Sequence, residues 1–288
     1  MSQNTNTEDT IDLKELFFSL IAQWKLIALC IILSLICALL YLRVTPDTYS
    51  VNALVQVEEN KGASAALLGD LSSMVEQKQP AQAEIEILKS RLVLGNVIQH
   101  LNLDLKISGT ENSFTDRLLS PHHYQTEYQP KSVVFKDDEK AFDIRQFNVP
   151  SNFRDKNLEL RFKDGQFSLT NTQTEQVILT GKTNQANTLR TADGLWNISI
   201  YTQDQLNDVY LIQKQSLPAA VNNILTNYSV AEKGKLTGIL GLNYQGTDKT
   251  HITQVLNAIL VSYSQQNIER RSAETAQTLK FLDEQLPE

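Results

Sequence analysis

Cysteine is almost missing from this sequence. Cys30 and Cys37 are the only two in 288 residues, and both lie inside one apolar run. Residues 45–288 have none, which excludes structural disulfides and zinc clusters there. A cysteine-free stretch suits an oxidising compartment, although cytosolic proteins can lack cysteine too. Glycine (11) and proline (7) are too scarce for a disordered or fibrous class. A basic excess is also absent. There are 26 basic and 33 acidic residues, a net charge of −7, the opposite of the bias that phosphate-tracking domains carry, so nucleic acid is not an expected partner.

Chemistry-bearing motifs are missing as well. "TGKTN" (180–184) contains Gly-Lys-Thr, but the phosphate-binding loop needs a glycine five positions before Gly181, and Gln176 stands there. The context reads as a hairpin turn, without the helix-end amides that hold a triphosphate. His122 and His123 are adjacent, and His100 and His251 are isolated, so no metal set forms. No Gly-x-Ser-x-Gly elbow occurs. Glu58/Glu59 and Asp137–Glu139 read as solvated charge runs rather than a glycosidase pair. No catalytic, cofactor-binding or metal-ligating residue is assigned.

One long apolar run is present. From Leu26 to Leu42 there are 17 uncharged residues, 11 of them Leu or Ile. At roughly 0.3–0.6 kcal/mol each, these favour the bilayer by about 3–7 kcal/mol. Trp24 and Tyr41 are separated by about 26 Å of helix, which suits the two interfacial aromatic belts. Lys25 and Arg43 flank the run and can extend outward to water. These four residues are the expected membrane anchor, with lipid as partner. "LLYLRVTP" after the run lacks the small residues of a cleavage site, so the span is expected to stay. Cys30 and Cys37, seven apart, share one helix face and read as packing residues. Upstream, "IDLKELFFSLIAQW" is amphipathic through Leu13, Leu16, Phe17, Leu20, Ile21 and Trp24. Lys14 and Lys25 before the span balance Arg43 and Lys61 after it, so charge gives almost no orientation.

After Pro46, "YSVNALVQVEE" alternates, with Tyr49, Val51, Ala53, Val55 and Val57 on one face of a strand. "ASAALLGDLSSMVEQ" reads as a short helix or ordered loop. Ala81–Lys89 is helical in composition. Ser90 is placed to cap a second helix with a stripe of Leu94, Val97, Ile98 and Leu101, and Gly95 within it permits close approach. Residues 110–135 read as a loop-rich connection. From about Val133 to Tyr201 the chain is β-rich, with "KDG" (163–165) and "NTQTE" (171–175) as turns, suggesting a small sandwich or meander inserted into a larger domain. "VYLIQ" is then strand-like, and "SLPAAVNNILTNY" is a helix with Pro218 in its first turn. "KLTGILGLNYQ" places Leu236, Gly238, Leu240, Leu242 and Tyr244 on one face.

Asp248 or Thr250 caps a last helix expected to reach Leu286, roughly 58 Å. Ile252, Val255, Leu256, Ile259, Leu260 and Tyr263 form its core stripe. From Ser264 to Thr278 the only aliphatic residues are Ile268, Ala273 and Ala276. A helix polar on most faces projects into solvent or lies against copies of itself. Leu279, Leu282 and Leu286 resume an apolar stripe, and the stop at Pro287 is what a fragment of a longer protein would show. Arg270, Arg271 and Lys280 are candidate contacts for a neighbouring copy or an acidic glycan, against the plainer reading of a solvated face served by Glu269 and Glu274.

The order "DLKELFFSLIAQWKLI", span, "YSVNALVQVEE", "AEIEILKSRLVLGNVIQHLNLDL" and finally "TDKTHITQVLNAILVSYSQQNIERRSAETAQTLKFLDEQLP" resembles the polysaccharide co-polymerases, or chain-length determinants. More narrowly it is similar to the N-terminal half of bacterial capsule and exopolysaccharide tyrosine autokinases. The likeness covers essentially the whole chain and is least distinct in the β-rich middle. It implies an inner-membrane protein with a periplasmic domain. It also implies a ring homo-oligomer that works with a polysaccharide polymerase and an outer-membrane exporter to control glycan assembly and chain length. The second span, the ATP-binding loop and the tyrosine cluster of the autokinases are absent from these residues. Kinase activity, with ATP and magnesium, is implied only for a longer parent chain.

The expected fold class is α+β: one transmembrane helix, a mixed α/β domain with a β-rich insertion, and a long C-terminal helix. The expected segments are a cytoplasmic or interfacial head (1–24), a span (25–44), and a periplasmic domain in two parts (45–109 and 206–247). A β-rich insertion (110–205) divides those parts, and the long helix (248–288) is cut before a second span. The competing expectation is a periplasmic glycan-binding or sensing module with Trp196 and Tyr201 as sugar-stacking platforms, against core packing for Trp196.

Overall fold

The computed structural model describes residues 17, 18, 21–45, 47–57, 80–110, 124–234 and 237–285. The head before the span, the expected helix or loop of residues 63–77, His122 and His123 fall wholly or mostly outside them. Two units are distinct, one holding the apolar helix and the other everything from Asp47 on apart from residues 114–120.

The first unit is helix α1 (Trp24–Val44). Residues 24–42 have a mean hydropathy of 2.6, and none of the run is buried in protein. Leu29, Ile32, Leu33, Leu35 and Leu39 all face outward. By length and composition this helix is able to cross a membrane.

The second unit has two cores. The first is mixed α/β. Strand β1 (Tyr49–Gln56) alternates half-buried and exposed residues as its sequence dictates. It pairs antiparallel with β13 (Ile239–Gly246), which also pairs with β12 (Tyr228–Glu232). Val51, Ala53 and Val55 lie opposite Tyr244, Leu242 and Leu240. Helices α2 (Pro80–Lys89), α3 (Arg91–Leu101), α4 (Leu217–Asn227) and the first half of α5 (Lys249–Gln285) share a core with this sheet. Leu88, Val93, Leu94, Val255 and Ile259 are completely buried there. Asp248 caps α5, its Oδ1 accepting from the Thr250 and His251 amides at 2.8 and 3.0 Å. Ser90 sits where a cap was expected, but its hydroxyl donates back to the Ile87 carbonyl (2.7 Å), closing α2 rather than opening α3. Gly95 lies against Leu217 of α4, where an added Cβ would meet the leucine methyls at an ordinary 3.7 Å.

The second core is a sandwich of two five-stranded antiparallel sheets. One runs β3 (Tyr124–Gln129), β4 (Ser132–Asp137), β5 (Lys140–Asn148), β10 (Gly194–Tyr201), β9 (Gln185–Thr191). The other runs β2 (Leu105–Gly109), β11 (Val209–Lys214), β6 (Asn157–Lys163), β7 (Gln166–Asn171), β8 (Val177–Lys182). Between them Phe135 and Phe142 of the first sheet meet Phe162 and Tyr210 of the second, with ring centroids 5.1–5.2 Å apart for the closest pairs. The "KDG" hairpin turns through Asp164 and Gly165, both at positive φ (50° and 72°), as a tight two-residue turn requires.

Several expectations shift. The loop-rich connection expected over 110–135 contains β3 and most of β4. The polar "YQTEYQ" has little apolar alternation, and pairing with β4 makes it a strand. The polar β9 has almost no buried face and reads as a strand only through its neighbour β10. Strands β2 and β11, outside the expected 110–205 insertion, both join the β2–β11–β6 sheet.

Candidate functional site

The geometry that sets this chain apart is at the root of α5. Glu84 of α2 sits in an otherwise apolar face with Ala81, Ile85 and Leu88 and is only 7% exposed. A carboxylate buried this deeply requires partners, and α5 supplies both. Tyr263 donates its hydroxyl to Oε2 at 2.9 Å, and Arg270 Nη2 donates to Oε1 at 2.6 Å. Tyr263 and Arg270 are seven residues apart, two turns on one helix face. Arg270 also reaches Asn267 Oδ1 at 3.1 Å. Burial, the bond to Glu84 and its charge push the Tyr263 phenol up to about 12 against the opposing guanidinium charges. The Arg270 pKa is raised further, first by its hydrogen bond to Glu84.

This ionic clamp marks a boundary. Before it, Ile252, Val255, Leu256 and Ile259 are core residues. Beyond it, every side chain from Ser272 to Lys280 is exposed. Ile268 is 60% and Leu279 58% exposed, apolar groups left uncovered among the described residues. The distal half is helical because Ala, Glu, Gln, Leu and Lys are strong helix formers, and because a packed helix already supplies the unfavourable nucleus.

Arg270 is thus engaged by Glu84, with a side chain still 38% exposed. Arg271 is half-buried and Lys280 exposed on the distal half. Trp196 is 1% exposed. Its indole N–H donates to Thr191 Oγ1 (3.1 Å) and its ring packs on Phe153 (4.8 Å), so it presents no open face. Tyr201 lies half-exposed on β10, with the Arg145 guanidinium 4.1 Å over its ring. The two aromatics do not form a joint platform. Trp24, Lys25 and Tyr41 are exposed on α1, and Arg43 lies in the last turn of the same helix. "TGKTN" ends β8 and crosses to β9 in the other sheet, so it is a link between sheets and not the hairpin turn its sequence suggests. The place of a Gly181 Cβ is filled by the Phe167 ring at 2.5 Å, which leaves no phosphate cradle. Among the described residues no three metal-ligating side chains converge. Sequence reasoning missed Glu84, although a carboxylate flanked at i−3, i+1 and i+4 by Ala81, Ile85 and Leu88 was the signal.

Comparison with known proteins gives these features a setting. Residues 9–101 match the family described as Wzz, chain length determinant protein. The tyrosine-protein kinase ptk of Acinetobacter johnsonii is 96% identical over 288 residues, 100% of this chain and 39% of its own length. The tyrosine-protein kinase wzc of Salmonella typhimurium is 32% identical over 97% of this chain and 37% of its own. The tyrosine-protein kinase etk of Escherichia coli K12 is 28% identical over 100% and 38%. A solved structure, Xanthomonas campestris FlgL, aligns over 77% of this chain and 96% of its own at 12% identity, with a TM-score of 0.24 that carries no argument about the fold. The chain spans about two fifths of the length of these curated relatives. Residues 9–101 thus carry the match to the chain length determinant family, and the whole chain is similar to the N-terminal portion of the longer tyrosine-protein kinases.

Proposed function

We propose that this chain is the membrane-anchored assembly module of a polysaccharide co-polymerase. In this reading α1 lies in the bacterial inner membrane and the residues after about 45 lie in the periplasm. Copies associate as a ring homo-oligomer that works beside a polysaccharide polymerase and an outer-membrane exporter, organising capsular or extracellular polysaccharide and setting its chain length. The mechanism is geometric, with subunit contacts holding the polymerase and the growing glycan at fixed separation. The kinase activity named for the relatives, with its ATP and magnesium, belongs to sequence outside these 288 residues, in a parent that is a tyrosine autokinase.

The observation that carries this reading is the distal half of α5, a rigid helix with Ile268 and Leu279 uncovered and Arg271 and Lys280 alongside. Such a face is suited to a neighbouring copy. The mass of the full-length protein in nanodiscs tests it: a closed oligomer is expected, and a monodisperse monomer overturns it. The sensing alternative would rest on Trp196 and Tyr201, one buried and the other already covered by Arg145.

A further inference from the structure

A groove of about 680 Å³ runs along the seam between the two cores, within the roughly 300–1,000 Å³ of small-ligand sites. One wall is α3, the other is the outer face of α5, and the end is the β3–β4 turn of the sandwich. Its accessible apolar surface comes from the exposed Val261 (70%) and the half-buried Tyr128 ring, over the buried Val97 and Leu101. Its rim is made of carboxamides. Asn96, Gln254, Asn257 and Gln266 point into it, and none has a hydrogen-bond partner among the described residues. No lysine or arginine lines it, and its one carboxylate, Glu269, already accepts from Gln265 at 2.9 Å.

We propose that this groove binds a segment of neutral oligosaccharide. A carboxamide offers a donor pair and an acceptor on one planar group, matching the vicinal hydroxyls of a sugar. The apolar C–H faces of the ring pack on the aliphatic and aromatic floor. An anionic ligand finds no lysine or arginine here, only the lone His100 on the α3 wall, and a metal finds just that imidazole and one carboxylate. A lipid tail or an apolar helix would strand four unpaired amides, each costly to desolvate without a partner. A ligand on this seam also touches both cores, because Tyr128 donates its hydroxyl to the Leu105 carbonyl (3.2 Å) and packs its ring at a tilt against His251 of α5, centroids 4.7 Å apart.

The inference rests on the polysaccharide reading and gives it a binding site. Its test uses the 288-residue chain alone in sugar-free lipid nanodiscs, so it can fail while ring assembly of the full-length protein still holds. Saturation-transfer NMR would be recorded with maltohexaose, chitohexaose and hexagalacturonate. Saturable transfer to at least one neutral hexamer and none to the anionic one is expected. Gln254→Ala combined with Asn257→Ala, and separately Val261→Lys at its exposed position, should each weaken that binding about tenfold or more, with circular dichroism unchanged. Three results overturn the proposal: no saturable transfer to either neutral hexamer, transfer indifferent to both variants, or a Val261→Lys effect confined to oligomeric mass, which would make the groove a contact between copies.

Discussion

The two halves of α5 are one continuous helix under opposite rules. In the first half, residues three, four or seven apart such as Ile252, Val255, Leu256 and Ile259 are buried against α3 and the β1–β13–β12 sheet. In the second, apolar groups are few and exposed. The difference teaches that helicity and packing are separable. The first half is held by burial of apolar surface. The second is held by propensity and by propagation from a formed nucleus. Glu84, Tyr263 and Arg270 stand where one rule replaces the other.

The largest break is expected at the packed half. Leu256→Ala should cost about 2–5 kcal/mol in denaturant unfolding, while Leu279→Ala should stay within about 0.5 kcal/mol. A comparable loss at Leu279 in the monomer would mean that the distal half is covered after all. Next comes the clamp. Glu84→Gln keeps the shape but removes the charge, and with Arg270 partly exposed the cost should be about 1–3 kcal/mol. Hydrogen exchange should rise in residues 264–285 more than in 249–262.

Two pH effects sharpen the boundary. The phenols of Tyr263 and Tyr128, both held up at about 12, carry a folded pKa above the usual 10.0. Their contribution is complete below pH 10 and is lost as pH rises towards 12. Thermal melts should fall across that window, less steeply in Tyr263→Phe. His251 behaves in the opposite way. Burial lowers its pKa below 6.5 despite the nearby Asp248 carboxylate, and its Nδ1 has no partner. The unfolded chain therefore binds the proton first, and stability is lost as pH falls through 6.5 towards the lower folded value. His251→Gln should flatten that limb of the pH–stability curve. The smallest expected effect is a gain: Gly95→Ala, with ordinary contacts awaiting its methyl, should add about 0.5–1 kcal/mol in helix propensity.

Elements with strong periodicity were legible in the sequence. The apolar helix α1, the alternating β1, the Leu94–Leu101 stripe, the first of the two cap candidates Asp248 and Thr250, and both characters of α5 follow from single-segment patterns. β3 and β9 were not legible, because a polar strand is defined by the neighbour that pairs with it. Ser90 stands at the N-cap position of α3 as its sequence suggests, but its hydroxyl bonds back to the Ile87 carbonyl instead of to an α3 amide. The site was less legible than the fold. The Glu84–Arg270 bond joins residues 186 apart, and the seam groove needs three elements at once. Trp196 shows the reverse limit, since an aromatic on a strand gives no sign of which face will be covered.

The most direct test places p-benzoylphenylalanine at Leu279 in the full-length protein and irradiates intact membranes. The account predicts covalent products at multiples of the chain mass, with the distal half of α5 joined to a second copy. Exclusive capture within one copy, or no capture beside a monomeric mass in nanodiscs, would contradict the claim that this helix exists to meet its neighbours.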